Sequence, residues 1–302
     1  MKLNTMKSNF KSGFVSIVGK PNVGKSTFLN QIIGSKIAIT SPKPQTTRNR
    51  ILGIKTTEDY QMVFVDTPGI HKPLHQLGKI LDDTAYSAIQ GMDAVLFMVD
   101  KERSFAEDQI IKLFNAVDSP VYLVINKIDL LKSKADIDKI IMSYLGAFPF
   151  KGFFPISAKE ATNTDKLIEA LKEDLQEGYP FFDCDQISNQ TDFQLMSEII
   201  REKVLYKTQE EVPHAVAVVI EHTEMNDGVY EVHATIVVER PTQKQILIGK
   251  GGSMLKEIGT EARKEINKIL DTKIHLILFV KVKKDWRNRP SDLKAFGYDK
   301  SE

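Results

Sequence analysis

One glycine-rich segment near the start of the chain restricts its fold more than any other feature. The segment GKPNVGKSTF, residues 19–28, follows the apolar run Phe14–Val18 and opens a helical pattern over Lys25–Ile33. It matches G-x-x-x-x-G-K-[ST], a motif that is informative only with a strand before it and a helix after it. Its glycines let consecutive main-chain N–H groups surround a phosphate. The segment therefore predicts a phosphate-binding loop, and the alternative is a glycine turn before a core helix.

Two side chains of this loop have predicted roles in phosphate chemistry. Lys25 would reach the β- and γ-phosphates of a nucleotide, and the Ser26 hydroxyl would ligate Mg²⁺. The predicted nucleotide contacts of the loop are Gly19, Pro21, Asn22, Val23, Gly24, Lys25, Ser26 and Thr27.

The NKID segment, Asn126–Asp129, bears on which base the nucleotide carries. It ends an apolar strand, where open α/β sheets place their ligands. The Asp129 carboxylate can accept hydrogen bonds from guanine N1–H and from the 2-amino group, whereas the acceptor at adenine N1 would repel it. Lys127 would lay its aliphatic stem along the base, and Asn126 would tie the surrounding loops together. Alone, the segment is equally compatible with an exposed turn at a strand end.

A second short segment strengthens the guanine interpretation. SAK follows the last predicted strand of the same region, and its Ala158 N–H would be offered to guanine O6. Together with the phosphate loop and NKID, it predicts that the bound nucleotide is GTP or GDP. The residues of this segment assigned to the nucleotide are Ser157, Ala158 and Lys159.

The DTPG segment, Asp66–Gly69, ends the third predicted strand. Asp66 would hold Mg²⁺ through a water, and the Gly69 N–H would bond the γ-phosphate, with Thr67 and Pro68 completing the nucleotide contacts. Loss of that phosphate would remove the bond and release the loop that follows.

The PQTTRNR segment, residues 44–50, lies where a second nucleotide-sensitive loop belongs. Thr47 is the predicted Mg²⁺ ligand there, together with Ser26 and Asp66, but spacing alone does not separate Thr47 from Thr46. A polar surface loop is the alternative for the whole segment. The predicted catalytic residues are Lys25, Thr47 and Gly69.

The order of predicted elements divides the chain into two domains. Up to residue 175, short apolar strands alternate with helices, which is typical of an α/β domain with a mostly parallel sheet. Residues 176–190 contain Gly, Pro, Asp and Asn without helical periodicity and are predicted to form a linker. Residues 191–302 follow an α-β-β-α-α-β order and end in a basic tail, which predicts a separate α+β domain.

A second glycine cluster marks the C-terminal domain. Gly249-Lys250-Gly251-Gly252 lies between two helical patterns, as does the GXXG loop of a KH module, which grips the backbone of about four nucleotides. From Glu239 to Arg289 there are 13 lysines and arginines against six acidic residues, which favours a nucleic-acid surface. A solvated charged helix beside a glycine turn is the alternative. The predicted RNA contacts here are Ile248, Gly249, Lys250, Gly251, Gly252, Lys256 and Arg263.

The basic run KVKKDWRNRP, residues 281–290, adds three predicted RNA contacts, Lys283, Trp286 and Arg287. Trp286 is the only tryptophan of the chain and would stack on a base. Packing of the tail against its own domain is an equal alternative, and contact of the run with anionic lipid ranks third.

Composition restricts the setting in which the chain works. Its single cysteine, Cys184, excludes an internal disulfide and a cysteine-rich zinc site, which fits a reducing, cytoplasmic compartment. The basic N-terminal residues have no apolar run behind them, so a signal peptide is not expected, and no apolar stretch is long enough to span a bilayer. The net charge of +1 excludes a protein that is basic throughout, and nothing in the sequence implies an oligomer.

The phosphate loop, PQTTRNR, DTPG, NKID and SAK, in this order, resemble GTPases of the TrmE–Era–EngA type. Ile70 occupies the position of the water-orienting glutamine of Ras-like GTPases, so hydrolysis by the chain alone is expected to be slow and to need a partner or a cation. Asn22 matches the asparagine that potassium-stimulated relatives use as a K⁺ ligand, and a purely structural asparagine is the alternative.

The combination of such a domain with a C-terminal type II KH domain is similar to one family of bacterial P-loop GTPases, over nearly the whole chain. The resemblance implies binding near the 3′ end of small-subunit ribosomal RNA, maturation of the 30S subunit and loose peripheral association with the inner membrane. Two other classes of function stay open. One is an ATP-dependent transferase of the kinase type, and the other is an RNA-binding scaffold with a vestigial nucleotide pocket.

Overall fold

The computed structural model describes residues 9–43, 45–69, 75–210, 212–226 and 229–298. The chain divides into two compact units. The first comprises Met1–Ala38, Thr47–Lys72 and Leu81–Asn189. The second comprises Ile39–Thr46, Pro73–Ile80 and Gln190–Glu302. The main division therefore falls at the end of the predicted linker, but two short segments of the N-terminal half belong to the second unit.

The sheet of the first unit consists of the apolar runs that the sequence marks as strands. In chain order its main strands are β1 (Lys11–Val18), β2 (Ile51–Thr56), β3 (Tyr60–Asp66), β4 (Ala94–Val99), β5 (Val121–Ile125) and β6 (Gly152–Pro155). Their spatial order is β2-β3-β1-β4-β5-β6, and all neighbours are parallel except β2 and β3. The prediction of a mostly parallel sheet is confirmed.

Helices connect these strands and cover the sheet. They are α1 (Lys25–Ile33), α2 (Gln76–Ser87), α3 (Phe105–Ile111), α4 (Lys134–Tyr144) and α5 (Thr164–Lys172). Every residue of β3, β4 and β5 is buried, because helices pack on both faces of the sheet and leave no strand face for water. This arrangement brings the carboxyl ends of β1, β3, β4 and β5 to one edge, where the phosphate loop, DTPG and NKID follow.

The segment predicted to be a linker packs against the sheet of the first unit. Its start, β7 (Gln176–Glu177), pairs antiparallel with β1, and Ile54 N donates to Ile187 O at 2.9 Å. The buried Gln61 side chain accepts hydrogen bonds from the N–H groups of Phe181 and Phe182 at 2.7 and 3.0 Å. Buried polar groups need such partners, so an interior glutamine on β3 keeps the segment against the sheet.

The second unit has the predicted α-β-β-α-α-β order. Its elements are α6 (Asp192–Lys207), β8 (Ala217–Asn226), β9 (Val229–Val238), α7 (Pro241–Ile248), α8 (Ser253–Ile269) and β10 (Ile274–Val282). The sheet order is β10-β9-β8, with β10 parallel and β8 antiparallel to β9. One face of α8 packs into the core of this unit, where Ile258, Ala262 and Ile266 are completely buried.

The C-terminal tail beyond β10 is also folded. A short helix, α9 (Pro290–Ala295), begins with a proline, a residue that suits the first turn of a helix because its missing N–H would have no partner there. No helix in the described ranges has both the length and the apolar character that crossing a membrane requires.

Candidate nucleotide site and RNA surface

The phosphate loop connects β1 to α1, and its backbone conformation requires glycine. Gly24 has φ +99°, and a Cβ there would lie 2.3 Å from Asn126 Nδ2. Gly69 of the DTPG segment packs against the same loop, since a Cβ on Gly69 would lie 2.7 Å from the nitrogen of Pro21. Both glycines therefore allow an approach of chain segments that no other residue permits. The main-chain N–H groups that follow Gly24 begin helix α1 and are available to an anion.

Lys25 lies inside this loop with its charge directed at main-chain oxygens. Its Nζ donates to the carbonyl oxygens of Gly19 at 3.1 Å and Lys20 at 3.0 Å. Burial lowers the pKa of Lys25 to about 8, although the Asp66 carboxylate opposes the change. A bound phosphate would supply the negative charge that favours the ammonium form, so these carbonyl contacts are replaceable by the ligand that the motif predicts.

Three oxygen-bearing side chains converge beside Lys25. Ser26 Oγ lies 2.8 Å from Thr47 Oγ1 and donates to Asp66 Oδ2 at 2.7 Å, and Thr47 Oγ1 is 3.4 Å from the same carboxylate oxygen. Burial raises the pKa of Asp66, and Asp66 Oδ1 has no hydrogen-bond partner among the described residues. A cation would compensate both costs. Two hydroxyls and a carboxylate are hard oxygen ligands of the kind that Mg²⁺ prefers, with water and phosphate completing its shell.

The structure places Thr47, and not Thr46, at this cluster. Thr46 Oγ1 instead donates to the carbonyl oxygen of Lys43 at 2.7 Å. Within the described ranges, no group of three His, Cys, Asp or Glu side chains could hold a metal ion. The cluster of Ser26, Thr47 and Asp66 is the candidate Mg²⁺ site, and an ion there would depend on the nucleotide for further ligands.

Asn126 connects the phosphate loop to the SAK segment, as predicted. Its Nδ2 donates to Val23 O at 2.8 Å, and its Oδ1 accepts from Ala158 N at 2.9 Å. The second contact corrects one expectation, because the Ala158 N–H predicted to face guanine O6 is donated to Asn126 here. The side chain of Asn126 is buried, so both contacts are shielded from water.

The other base-recognition residues lie around this connection. Ser157 Oγ donates to Asp129 Oδ1 at 2.6 Å, which orients a carboxylate that is otherwise exposed to solvent. Lys127 has a left-handed backbone (φ 62°) and pairs with Asp100 at 2.6 Å. Its Nζ also donates to Asn22 O at 2.5 Å, so its stem runs from the base end of the site to the phosphate loop. Lys159 is exposed and pairs with Glu160 at 3.1 Å.

The middle of the DTPG segment is attached to strand β1 of the sheet. Thr67 Oγ1 donates to Ile17 O at 3.0 Å, so this buried threonine has a role in attaching the segment to β1. Pro68 is buried as well. Ile70, on which the expectation of slow hydrolysis depends, lies outside the described residues, as do residues 71–74 and Pro44.

The second glycine cluster forms a tight turn between α7 and α8. Gly249, Gly251 and Gly252 all have positive φ, at 71°, 59° and 80°. A Cβ on Gly251 or Gly252 would meet nothing within 4 Å, so this side of the turn is open to a ligand, and Lys250 is exposed beside it. Main chain that is accessible and free of side chains is what a nucleic-acid backbone needs for close approach.

A groove of about 520 Å³ begins at this turn and runs between α8 and β10. Apolar and basic groups alternate along it, and its lining residues are Gly252, Leu255, Lys256, Gly259, Thr260, Arg263, His275, Leu276 and Leu278. Lys256 and Arg263 were predicted to contact RNA and line this groove, whereas Ile248, which was also predicted, does not line it. An apolar floor with a basic rim suits bases and phosphates respectively.

Each of the three predicted RNA contacts of the basic run has a partner within the second unit. Trp286 is fully buried, donates from Nε1 to Ala215 O at 3.1 Å and stacks on Tyr298, so the prediction of base stacking is wrong and the alternative of tail packing is correct. Arg287 pairs with Glu239 at 2.5 Å, and Lys283 pairs with Asp292 at 2.7 Å. The sequence had no signal for these partners, because they come from other elements.

Comparison with known proteins agrees with both halves of the chain. The family described as 50S ribosome-binding GTPase matches residues 14–127, and the KH domain family matches residues 211–287. GTPase Era of Heliobacterium modesticaldum is 49% identical over 292 residues, which is 96% of this chain and 97% of that protein.

Solved structures extend the similarity to the fold. Era of Aquifex aeolicus bound to GDP and AlF₄⁻ is 39% identical, with a TM-score of 0.92 over 96% of this chain and 99% of the other. A structure of Era in complex with MgGDPNP and nucleotides 1506–1542 of 16S ribosomal RNA gives the same values.

The fold and the site define a P-loop GTPase that carries a C-terminal KH domain. The identity to curated relatives extends across both domains and not only across the common GTPase motifs. The chain belongs to the Era family of GTPases.

Proposed function

We propose that the chain binds GTP with Mg²⁺, hydrolyses it slowly, and uses its nucleotide state to control binding to the 3′ end of small-subunit ribosomal RNA during maturation of the 30S subunit. The observation that carries this proposal is the convergence of Thr47 with Ser26 and Asp66, within 3.4 Å. A threonine on a loop can report the γ-phosphate only if it reaches the metal that the phosphate holds.

The assignment of roles follows from the positions of the side chains. Lys25 would neutralise charge on the β- and γ-phosphates, and the Gly69 N–H would bond the γ-phosphate. Asp129, oriented by Ser157, would select guanine. The bound Mg²⁺ would bridge phosphate oxygens and neutralise the charge that develops in hydrolysis.

The RNA part of the proposal depends on the open turn at Gly251 and on the groove beside α8. RNA must bind the GTP and GDP forms with different affinities for the nucleotide to act as a switch. We would measure the affinity of the full chain for an oligonucleotide of the 16S 3′ end with a non-hydrolysable GTP analogue and with GDP. Tighter binding in the GTP form supports the proposal, and equal affinities refute the control by nucleotide.

Matched variants distinguish RNA binding at the turn and groove from attraction by the basic charge of the domain in general. Lys250→Ala, at the open turn, should weaken RNA binding about tenfold, since it removes a phosphate contact where main chain and RNA approach closely. Lys268→Ala removes the same charge from an exposed position of α8 that does not line the groove, and it should change affinity little.

The two rival functions predict different results. An ATP-dependent transferase would require ATP to displace bound GTP, which a carboxylate at the base position disfavours. A scaffold with a vestigial pocket would function in cells with Lys25→Ala, whereas a working GTPase would not.

The proposal also includes a K⁺ site beside the phosphates and contact of the protein with the membrane. The Asn22 side chain would ligate K⁺ beside the phosphates, so turnover should be faster in K⁺ than in Na⁺ and Asn22→Ala should abolish the difference. Peripheral association of this otherwise cytoplasmic protein with the inner membrane stays a prediction, and cosedimentation with anionic vesicles would test it.

A further inference from the structure

Helix α8 has a glycine in its interior, and this glycine lies on the wall of the groove beside β10. Gly259 stands in the middle of the helix Ser253–Ile269 and lines the groove. Glycine is less favourable in a helix interior than any residue except proline. The φ of Gly259 lies outside the left-handed region, and the helix continues through it. The backbone conformation therefore does not require a glycine at this position.

Packing of α8 against the sheet does not require this glycine either. A Cβ at Gly259 would lie 3.2 Å from Leu278 Cδ1 and 3.8 Å from Leu278 Cγ, its only contacts within 4 Å among the described residues outside the helix. Leu278 is half-buried, and the methyl group at the end of its flexible side chain can shift to accept a Cβ. At Gly249, by contrast, a Cβ would lie 2.9 Å from the main-chain nitrogen of Met254, which cannot give way.

Helix α8 and strand β10 run side by side in opposite directions along the groove. Asn267 Oδ1 accepts a hydrogen bond from Ile274 N at 3.1 Å, which joins the last turn of the helix to the first residue of the strand. The other end of the groove opens at Gly252 of the glycine turn. Gly259 therefore lies near the middle of the groove, opposite Leu278.

The charged side chains of α8 are divided between two sides of the helix. Its acidic side chains pair with lysines of α6 on one side. Lys256 and Arg263 line the groove on the other side. They are three residues before and four residues after Gly259, a spacing that places all three on one face of the helix. The bare main chain at Gly259 thus has a basic side chain on each side of it.

We propose that Gly259 is a specificity-determining residue of this groove, where the face of one RNA base rests on the main chain of α8 opposite Leu278. Lys256 and Arg263 would then contact phosphates on either side of that base. A side chain at position 259 would project toward Leu278 and fill the place of the base. Bases of an RNA double helix are paired and stacked, so only a splayed single strand can use this place. This inference rests on the proposed function and specifies which part of the groove reads RNA.

Removal of RNA bases one at a time, combined with Gly259→Ala, tests the proposal. The full chain, with the same non-hydrolysable GTP analogue throughout, is titrated with a fluorescent single-stranded oligonucleotide of the 16S 3′ end. A second set of oligonucleotides has an abasic site at each position in turn. Gly259→Ala should weaken binding of the intact oligonucleotide about tenfold, the usual effect of losing one base contact.

The combination of the two changes distinguishes a direct contact from a general effect. At one nucleotide, loss of the base should weaken binding to the wild type about tenfold and should not weaken binding to Gly259→Ala any further. At every other nucleotide, the effects of the abasic site and of the substitution should multiply. Gly259→Ser adds a side chain of similar volume and should give the same pattern.

Stability measurements separate exclusion of a base from damage to the fold. Alanine is more favourable than glycine in a helix interior, so Gly259→Ala should unfold at an equal or higher denaturant concentration. The emission of Trp286, the only tryptophan, follows unfolding of the second unit. Gly178→Ala is the matched control, because it adds the same methyl group to the first unit, 3.4 Å from Ser12 Oγ and away from the residues that line the groove. It should bind RNA as the wild type does.

The outcomes separate this inference from the proposed function. If the wild type binds the oligonucleotide and Gly259→Ala binds it equally well, or the effects multiply at every nucleotide, the role of Gly259 is refuted while the RNA function stands. A lower unfolding midpoint of Gly259→Ala would show that the glycine serves packing and would also overturn the inference. If the wild type does not bind the oligonucleotide, the proposed RNA function fails and the inference fails with it. Loss of the abasic effect at one nucleotide, with undiminished stability, supports both.

Discussion

The Asn126 side chain lies between Val23 of the phosphate loop and Ala158 of the SAK segment, with hydrogen bonds of 2.8 and 2.9 Å. These partners are 103 and 32 residues away in the sequence. One buried amide thus determines how the phosphate-binding and base-binding parts of the site are spaced. A nucleotide that contacts both parts needs that spacing to be fixed before it binds.

Asn126→Ala should therefore weaken GTP and GDP to a similar extent. Two buried groups, Val23 O and Ala158 N, would lose their partner, and each such group costs about 1–3 kcal/mol. Isothermal titration calorimetry would measure the affinities. Asn115→Ala, at an exposed position, is the control and should bind as the wild type does. Unchanged affinity of Asn126→Ala would show that the connection has no role in binding.

Asp129→Asn should change the base that the chain prefers. The asparagine amide offers one donor and one acceptor, which match the 2-oxo group and N1–H of xanthine but leave one guanine donor unpaired. Competition binding should show GTP weakened roughly 100-fold, with XTP bound more tightly than GTP. Asp138→Asn, an exposed aspartate of α4, should retain the preference for GTP. A variant that still selects GTP would mean that another group recognises guanine.

Thr47→Ala and Thr46→Ala distinguish the two candidate metal ligands. Only Thr47 reaches Ser26 and Asp66, so Thr47→Ala should raise the Mg²⁺ concentration for half-maximal GTP hydrolysis about tenfold, which corresponds to about 1.4 kcal/mol. Thr46→Ala loses a hydrogen bond to Lys43 O and should leave the Mg²⁺ dependence unchanged. The reverse result would assign the ligand to Thr46.

Gln61→Leu should loosen the segment that follows β7 without abolishing the fold. The glutamine bonds both Phe181 and Phe182, and unsatisfied buried groups there would cost about 1–3 kcal/mol each. Chymotrypsin should then cleave after Phe181, which is already exposed but held in place. A Gln90→Leu control alters an exposed glutamine and should resist cleavage as the wild type does.

Trp286→Ala should destabilise the second unit by about 3–5 kcal/mol, the usual cost of removing a large buried aromatic side chain. Denaturant unfolding would measure the change, and Trp286→Phe should lose less. Since Trp286 is the only tryptophan, its emission reports this position alone. Addition of RNA should leave the emission of the wild type nearly unchanged, whereas strong quenching would restore base stacking as its role.

The sequence by itself determined the elements whose signals are local. All six long strands of the first unit and the helix Lys25–Ile33 follow from apolar runs and from the glycine motif. The residues of the candidate nucleotide site could be predicted to come together, because Lys25, Ser26, Asp66 and Asn126 each stand at the end of a strand or the start of a helix. In a parallel sheet those positions necessarily meet at one edge.

Only the tertiary structure decided which side chains meet across distant segments. The contact of Thr47 with Asp66 distinguishes it from Thr46 as the candidate metal ligand. Trp286 is buried by its contacts with Ala215 and Tyr298 and is therefore not exposed to RNA. The predicted linker packs against the sheet of the first unit through Gln61, and Arg201 donates to a main-chain oxygen 155 residues away. Such contacts leave no periodic trace in the sequence, because burial and hydrogen bonding depend on partners that the fold supplies.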